Sequence, residues 1–291
     1  MNRGAALIAM NDKKRAQMAT IRDLAEGHGV EILAHFYQRA EIKAVADFVG
    51  GSYEVVERAL AAGPGERILV CGASFMVEAI LAGRPRAEIW TPRTDLACPL
   101  AEGVSPEEVR EARDRFPEAL VVVDLKARPE IRALADLEIS PATAAEQLAR
   151  LGGAPILALP GPHLADWAGF GDQVVGRWPK AVCQVHELAT AADLAEARER
   201  HPGALVAVNL LCLPEVRAEA DFVGDAAGLS RFCSESPARD FIVVSEAGLA
   251  EYLAALWPER NFYETEAEIY CPNMKLTNLK AVIDRLGSIA E

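Results

Sequence analysis

No stretch of this 291-residue sequence stays apolar for the ~18 residues a membrane-crossing helix requires, so a helical membrane span is not expected. The opening Met1–Met10 holds only a short apolar patch, too brief for a secretory leader, and a cytoplasmic protein is expected. Positive charge is also scarce. Thirty Lys and Arg stand against 43 Asp and Glu, a net charge of −13, which argues against nucleic acid or anionic membrane as a partner. A basic pocket for a small anion remains compatible with that balance, and a small-molecule partner is expected first. Cysteine is sparse and dispersed: six residues with no Cys-x-x-Cys pair make neither a dense disulfide framework nor a short-spaced zinc site.

What is present is a core and a repeat. Apolar residues make up 51% and charged residues 25%, ordinary values for a globular protein. Met18–Gly27 reads as a glycine-closed helix, followed by a buried strand Val30–Ala34 ending at His35. A short helix at Glu41, a strand at Ala46–Val49, a helix Tyr53–Ala62, a strand Arg67–Cys71, a helix Phe75–Leu81 and the segment Ala87–Trp90 complete the unit. The order then recurs. EVREARDRF at Glu108–Phe116 and DLAEARERH at Asp193–His201 are each followed by Pro and an apolar run. Ala46-Asp47, Ala135-Asp136 and Ala220-Asp221 open the second strands, and Arg67–Cys71, Pro155–Leu159 and Phe241–Ser245 form the third. The expected fold is α/β: three similar units with small parallel sheets around a pseudo-threefold axis, with a site at the centre. The units span 1–100, with 272–291 packing on it, then 101–185 and 186–271.

Three cysteines share the repeat register. Cys98 lies 85 residues before Cys183, and Cys271 lies 88 after it, each in the last loop of its unit. Loops at the carboxyl ends of parallel strands converge, so the three thiolates can meet with a fourth coordination position left open. That spacing fits a [4Fe–4S] cluster with one accessible iron better than zinc, with three packed structural cysteines as the competing reading. Cys71, Cys212 and Cys233 fall outside the register and read as packed thiols. His28, His163 and His201 read as surface residues.

Ala34-His35-Phe36-Tyr37-Gln38, Ala46-Asp47-Phe48-Val49-Gly50 and Cys71-Gly72-Ala73-Ser74-Phe75-Met76-Val77-Glu78 resemble signatures of the quinolinate synthase family. So do the loops LACPLAE, AVCQVHE and YCPNMK and the segment Phe241–Gly248. The resemblance covers nearly the whole chain. It implies an oxygen-sensitive [4Fe–4S] enzyme of condensation and dehydration, of transferase or lyase type, in NAD biosynthesis or a related pathway. The family condenses iminoaspartate with dihydroxyacetone phosphate, so the implied partners are small carboxylated and phosphorylated molecules. The implied cluster ligands are Cys98, Cys183 and Cys271. His35 and Tyr37 would be catalytic, and Ser52 matches a substrate-binding serine. Glu246 reads as a pocket residue or a helix cap, His186 as a hydrogen-bond donor to the cluster or a structural residue, and Lys126 and Lys275 as anion contacts or solvated lysines.

The sequence also departs from the family. Asn209-Leu210-Leu211-Cys212 stands where the pattern has His-Pro-Glu-Cys, and Asp124-Leu125-Lys126 where it has Tyr-x-Asn. Ser140-Pro141-Ala142-Thr143 replaces Thr-Ser-Ser-Asn, Gly224-Asp225-Ala226 replaces Gly-Ser-Thr, and Gly51 replaces an aspartate. Asp124, Lys126 and Asn209 are thus expected to line a rebuilt substrate pocket, which points to an altered substrate. A non-catalytic iron–sulfur sensor of the same fold is the alternative.

Overall fold

The computed structural model describes residues 11–83, 88–141 and 143–289. The patch at Met1–Met10, and Ala87 and Ala142 of the segments above, lie outside the described residues.

Among the described residues the strands form three four-stranded sheets, parallel throughout. The first contains β1 (Val30–His35), β2 (Phe48–Gly50), β3 (Arg67–Cys71) and β4 (Glu88–Trp90), in the order β2-β1-β3-β4. The second contains β5 (Leu120–Val123), β6 (Leu137–Glu138), β7 (Ile156–Leu159) and β8 (Val174–Gly176); the third contains β9 (Leu205–Asn209), β10 (Phe222–Gly224), β11 (Asp240–Val244) and β12 (Asn261–Tyr263). Both repeat the spatial order of the first sheet. The chain is therefore an α/β protein, as its sequence predicts. Central strands such as Val121-Val122-Val123 are buried on both faces, which is why they read as continuous apolar runs rather than alternating ones.

The repeated aspartate has a physical reason. Asp47, Asp136 and Asp221 each accept a hydrogen bond on Oδ2 from the first strand, from Ile32 N at 2.9 Å, Val121 N at 2.8 Å and Val206 N at 2.7 Å. Each aspartate also donates its own amide to the same residue's carbonyl, at 2.8, 2.8 and 2.9 Å. The side chain thus stands in for a ladder partner, and the strand expected at Ala46–Val49 begins only at Phe48. The helix expected at Met18–Gly27 is longer than its apolar pattern, spanning Asp12–His28, because its first turns are polar and carry no periodicity. Asn11 caps it, and Gly29 at φ 63, rather than Gly27, closes it.

Seven residues after each of Cys98, Cys183 and Cys271 a polar residue caps a helix. Ser105 starts Pro106–Arg115, Thr190 starts Ala191–Arg200 and Asn278 starts Leu279–Leu286. In the last of these, Leu279, Val282 and Leu286 pack with Met18, Ile21 and Ala25 against β1. The approach to Cys183 is tight: a Cβ at Gly161 would lie 1.8 Å from Ala181 O, and one at Gly103 would lie 2.3 Å from Ala181 Cα.

Candidate active site

The carboxyl ends of the three sheets face one cavity of about 320 Å³, lined by residues from all three. At its wall the first strands end in the same turn. The side chain after or at the strand end accepts the amide two residues on: His35 Nδ1 from Tyr37 N at 3.1 Å, Asp124 Oδ1 from Lys126 N at 2.7 Å, and Asn209 Oδ1 from Leu211 N at 3.0 Å. The repeat therefore aims Tyr37, Lys126 and Leu211 at the cavity.

These bonds fix orientations. A backbone amide only donates, so His35 Nδ1 carries the lone pair and Nε2 carries the proton, which is donated to Ser52 Oγ at 3.2 Å. Asn209 has its carbonyl oxygen occupied, so Nδ2 donates to Tyr37 Oη at 3.0 Å and to Ser245 Oγ at 3.3 Å. Tyr37 Oη also lies 3.1 Å from Ser245 Oγ and 3.3 Å from His186 Nε2. His186 Nδ1 in turn lies 3.1 Å from Cys183 Sγ. Burial holds Tyr37 well above the usual phenol range.

Cys98, Cys183 and Cys271 all line the cavity and are free thiols. Each sulfur is met by the backbone amides two and three residues on: Leu100 and Ala101, Val185 and His186, Asn273 and Met274. Burial, and then Cys98 and Cys271, push the Cys183 thiol up to about 12. These three are the donors that could hold a metal centre. Among the described residues no three His, Cys, Asp or Glu side chains gather tightly enough to hold one ion.

The charged residues divide. Lys126 reaches the cavity with its ammonium 2.9 Å from Asp124 Oδ2 and over the Tyr53 ring at 5.3 Å. Asp124 itself is buried behind it. Lys275 and Glu246 do not line the cavity: they form a buried pair at 2.8 Å. Lys275 also donates to Tyr37 O at 2.6 Å, and Glu246 accepts from Gly248 N at 2.8 Å and Cys271 N at 3.1 Å. Glu246 is the cap of its two sequence readings. Three residues of the site escaped sequence reasoning. Tyr53 follows the serine that drew attention, Ser245 comes just after β11, and Asp225 sat among the departures; their positions after strand ends are the signal that marks them. His163, expected at the surface, is buried with neither ring nitrogen hydrogen-bonded, because the helix it begins packs inward.

Burial, then the ammonium groups of Lys275, Lys43 and Lys126, lower the His35 pKa to about 3. Between that value and the unfolded ~6.5 the unfolded chain binds the extra proton, so this contribution is complete above pH ~6.5 and is lost as pH falls toward about 3. Denaturation at pH 7.5 and pH 5.0 should therefore show a loss in wild type that exceeds the loss in His35→Gln by roughly 2 kcal/mol. Equal losses would refute a neutral buried His35.

Residues 19–291 match the family described as quinolinate synthetase A protein. The chain is similar to the quinolinate synthase of Methanoregula boonei, 35% identical over 278 residues that cover 95% of this chain and 91% of the relative. It is also similar to the quinolinate synthases of Thermodesulfovibrio yellowstonii, at 33% identity covering 88% and 84%, and Thermotoga maritima, at 31% covering 91% and 89%.

Proposed function

Because the chain belongs to the quinolinate synthase family and is an enzyme of that type, we propose that it binds a [4Fe–4S] cluster through Cys98, Cys183 and Cys271 and acts on a small carboxylated substrate in the adjoining cavity. One observation carries this reading. Three thiols on three separate loops face one cavity, each sulfur cradled by two backbone amides. Amides directed at sulfur favour thiolate ligands, and donors standing apart across a cavity suit a polynuclear group better than a single ion. When bound, the cluster would supply a Lewis-acidic iron for a substrate hydroxyl or carboxylate.

The chain's own residues do the rest. With its Nε2 proton given to Ser52, His35 leaves the serine hydroxyl to donate to a ligand oxygen. A Cys183 thiolate accepts the His186 Nδ1 proton, so Nε2 accepts the Tyr37 hydroxyl proton. That arrangement keeps Tyr37 neutral at the cavity wall and ties its ring to the cysteine loop. Among the described residues Lys126 gives the one ammonium of the lining, while Asn209 orients Tyr37. The three sheets and their shared cavity support a division into 1–100 with 272–291, 101–185 and 186–271 about a pseudo-threefold axis.

Departures at and behind the wall support an altered substrate: Lys126, Asn209 and Asp225 in the lining, and Asp124 buried behind Lys126, stand where the family pattern has other polar groups. Anaerobically reconstituted protein should contain iron and absorb in the visible, and should form little quinolinate from iminoaspartate and dihydroxyacetone phosphate. Iron-free, colourless protein would sink the cluster reading; robust quinolinate formation would sink the altered substrate.

A further inference from the structure

Among the charged side chains that line the cavity, Lys126 has a counter-charge inside the protein, Asp124 at 2.9 Å. Behind the wall Lys275 is likewise matched by Glu246. Asp225 differs. It lines the cavity half-buried, and among the described residues it has no basic partner. Its Oδ1 accepts Gly228 N at 2.7 Å and so caps the helix Ala226–Glu235. A carboxylate of the chain thereby occupies a helix start whose amides and dipole would otherwise favour an outside anion.

This wall adjoins the rest of the substrate side. A Cβ at Gly51 would meet Ala227 N and Cβ at 3.3 Å, so the helix carrying Ser52 and the helix capped by Asp225 start against each other. The Tyr53 phenol is held from ionising by burial and then by Asp124, and Asp225 adds to that field. Two carboxylates and one ammonium therefore surround this end of the cavity, with Asp225 the unneutralised charge. A phosphate monoester would bring two negative charges to it at neutral pH, which like-charge repulsion disfavours. An ammonium group would supply the missing partner.

We propose that Asp225 determines the substrate class: the cavity takes an unphosphorylated carboxylate that carries an ammonium group, with the ammonium on Asp225 and the carboxylate toward Lys126 and Ser52. This deepens the reading of the cavity as the substrate site and depends on it. The test uses iron-loaded full-length protein and calorimetric titration with L-aspartate, with succinate, which lacks the ammonium, and with inorganic phosphate. Wild type should bind L-aspartate at least ~10-fold tighter than succinate, the scale of one charge-assisted hydrogen bond. It should bind phosphate weakest. In Asp225→Asn the amide oxygen still caps the helix, so folding is retained. That variant should lose the aspartate preference and bind phosphate ~10-fold better than wild type. Equal affinity of wild type for aspartate and succinate, no binding of either, or phosphate binding unchanged by the substitution overturns the proposal. Iron content and visible absorption, measured on the same samples, report on the cluster separately.

Discussion

Cys183→Ser should emerge from anaerobic reconstitution with at least ~10-fold less iron than wild type and without visible absorption. Serine keeps the size and the amide cradle of Val185 and His186 but offers a hard, protonated oxygen where soft iron–sulfur chemistry requires a thiolate. The loss should extend to the hydrogen-bond chain, since His186 Nδ1 would face a hydroxyl instead of Sγ at 3.1 Å and no longer be fixed as the donor toward it. Cys98→Ser and Cys271→Ser should behave alike, because the three sulfurs face one cavity and are served by equivalent amides. Cys233→Ala is the control. That thiol is buried in the third sheet's core with Leu229 and Leu253, away from the cavity, and its variant should load iron normally. Iron retained at the wild-type level in Cys183→Ser would show that Cys183 is not a ligand.

Much of this site was legible because the repeat writes it three times. The spacing of Cys98, Cys183 and Cys271 needed only a register, and the common cap seven residues later shows that the register is structural as well as numerical. The strand ends at His35, Asp124 and Asn209 were legible for the same reason. Less legible was what each side chain does once there. Glu246 and Lys275 stand in a family-like stretch and next to the Cys271 loop, yet they face each other in the interior, because a buried charge must find a partner before it can serve a ligand. His163 gave no sequence signal of burial, since its inward face depends on how its short helix meets Glu187 and Arg217 from distant parts of the chain. Asp225 shows the converse. Its type and helix-start position were visible, but the lack of a cation beside it among the described residues depends on how the three sheets meet, which no local pattern carries.

The second large effect concerns that interior pair. Glu246→Ala should destabilise the protein by ~3–5 kcal/mol in chemical denaturation, because it leaves the Lys275 ammonium buried without its carboxylate. Burial pushes the Glu246 carboxyl up, and the Lys275 ammonium and the amides of Cys271 and Gly248 hold it down, so the charged form depends on these contacts. The Cys271 amide would lose its acceptor as well, which loosens the loop carrying one of the three cavity thiols. Two consequences separate a specific tie from general damage. The double variant Glu246→Ala/Lys275→Met removes the stranded charge and should recover about half the lost stability or more, as apolar replacements of buried pairs do. Iron loading should stay impaired in that double variant, since neither new side chain can accept from Cys271 N. A double variant no more stable than the single one would mean that Lys275 is not the origin of the cost. Normal iron loading in both would mean that the Glu246 contact does not hold the third cysteine in place.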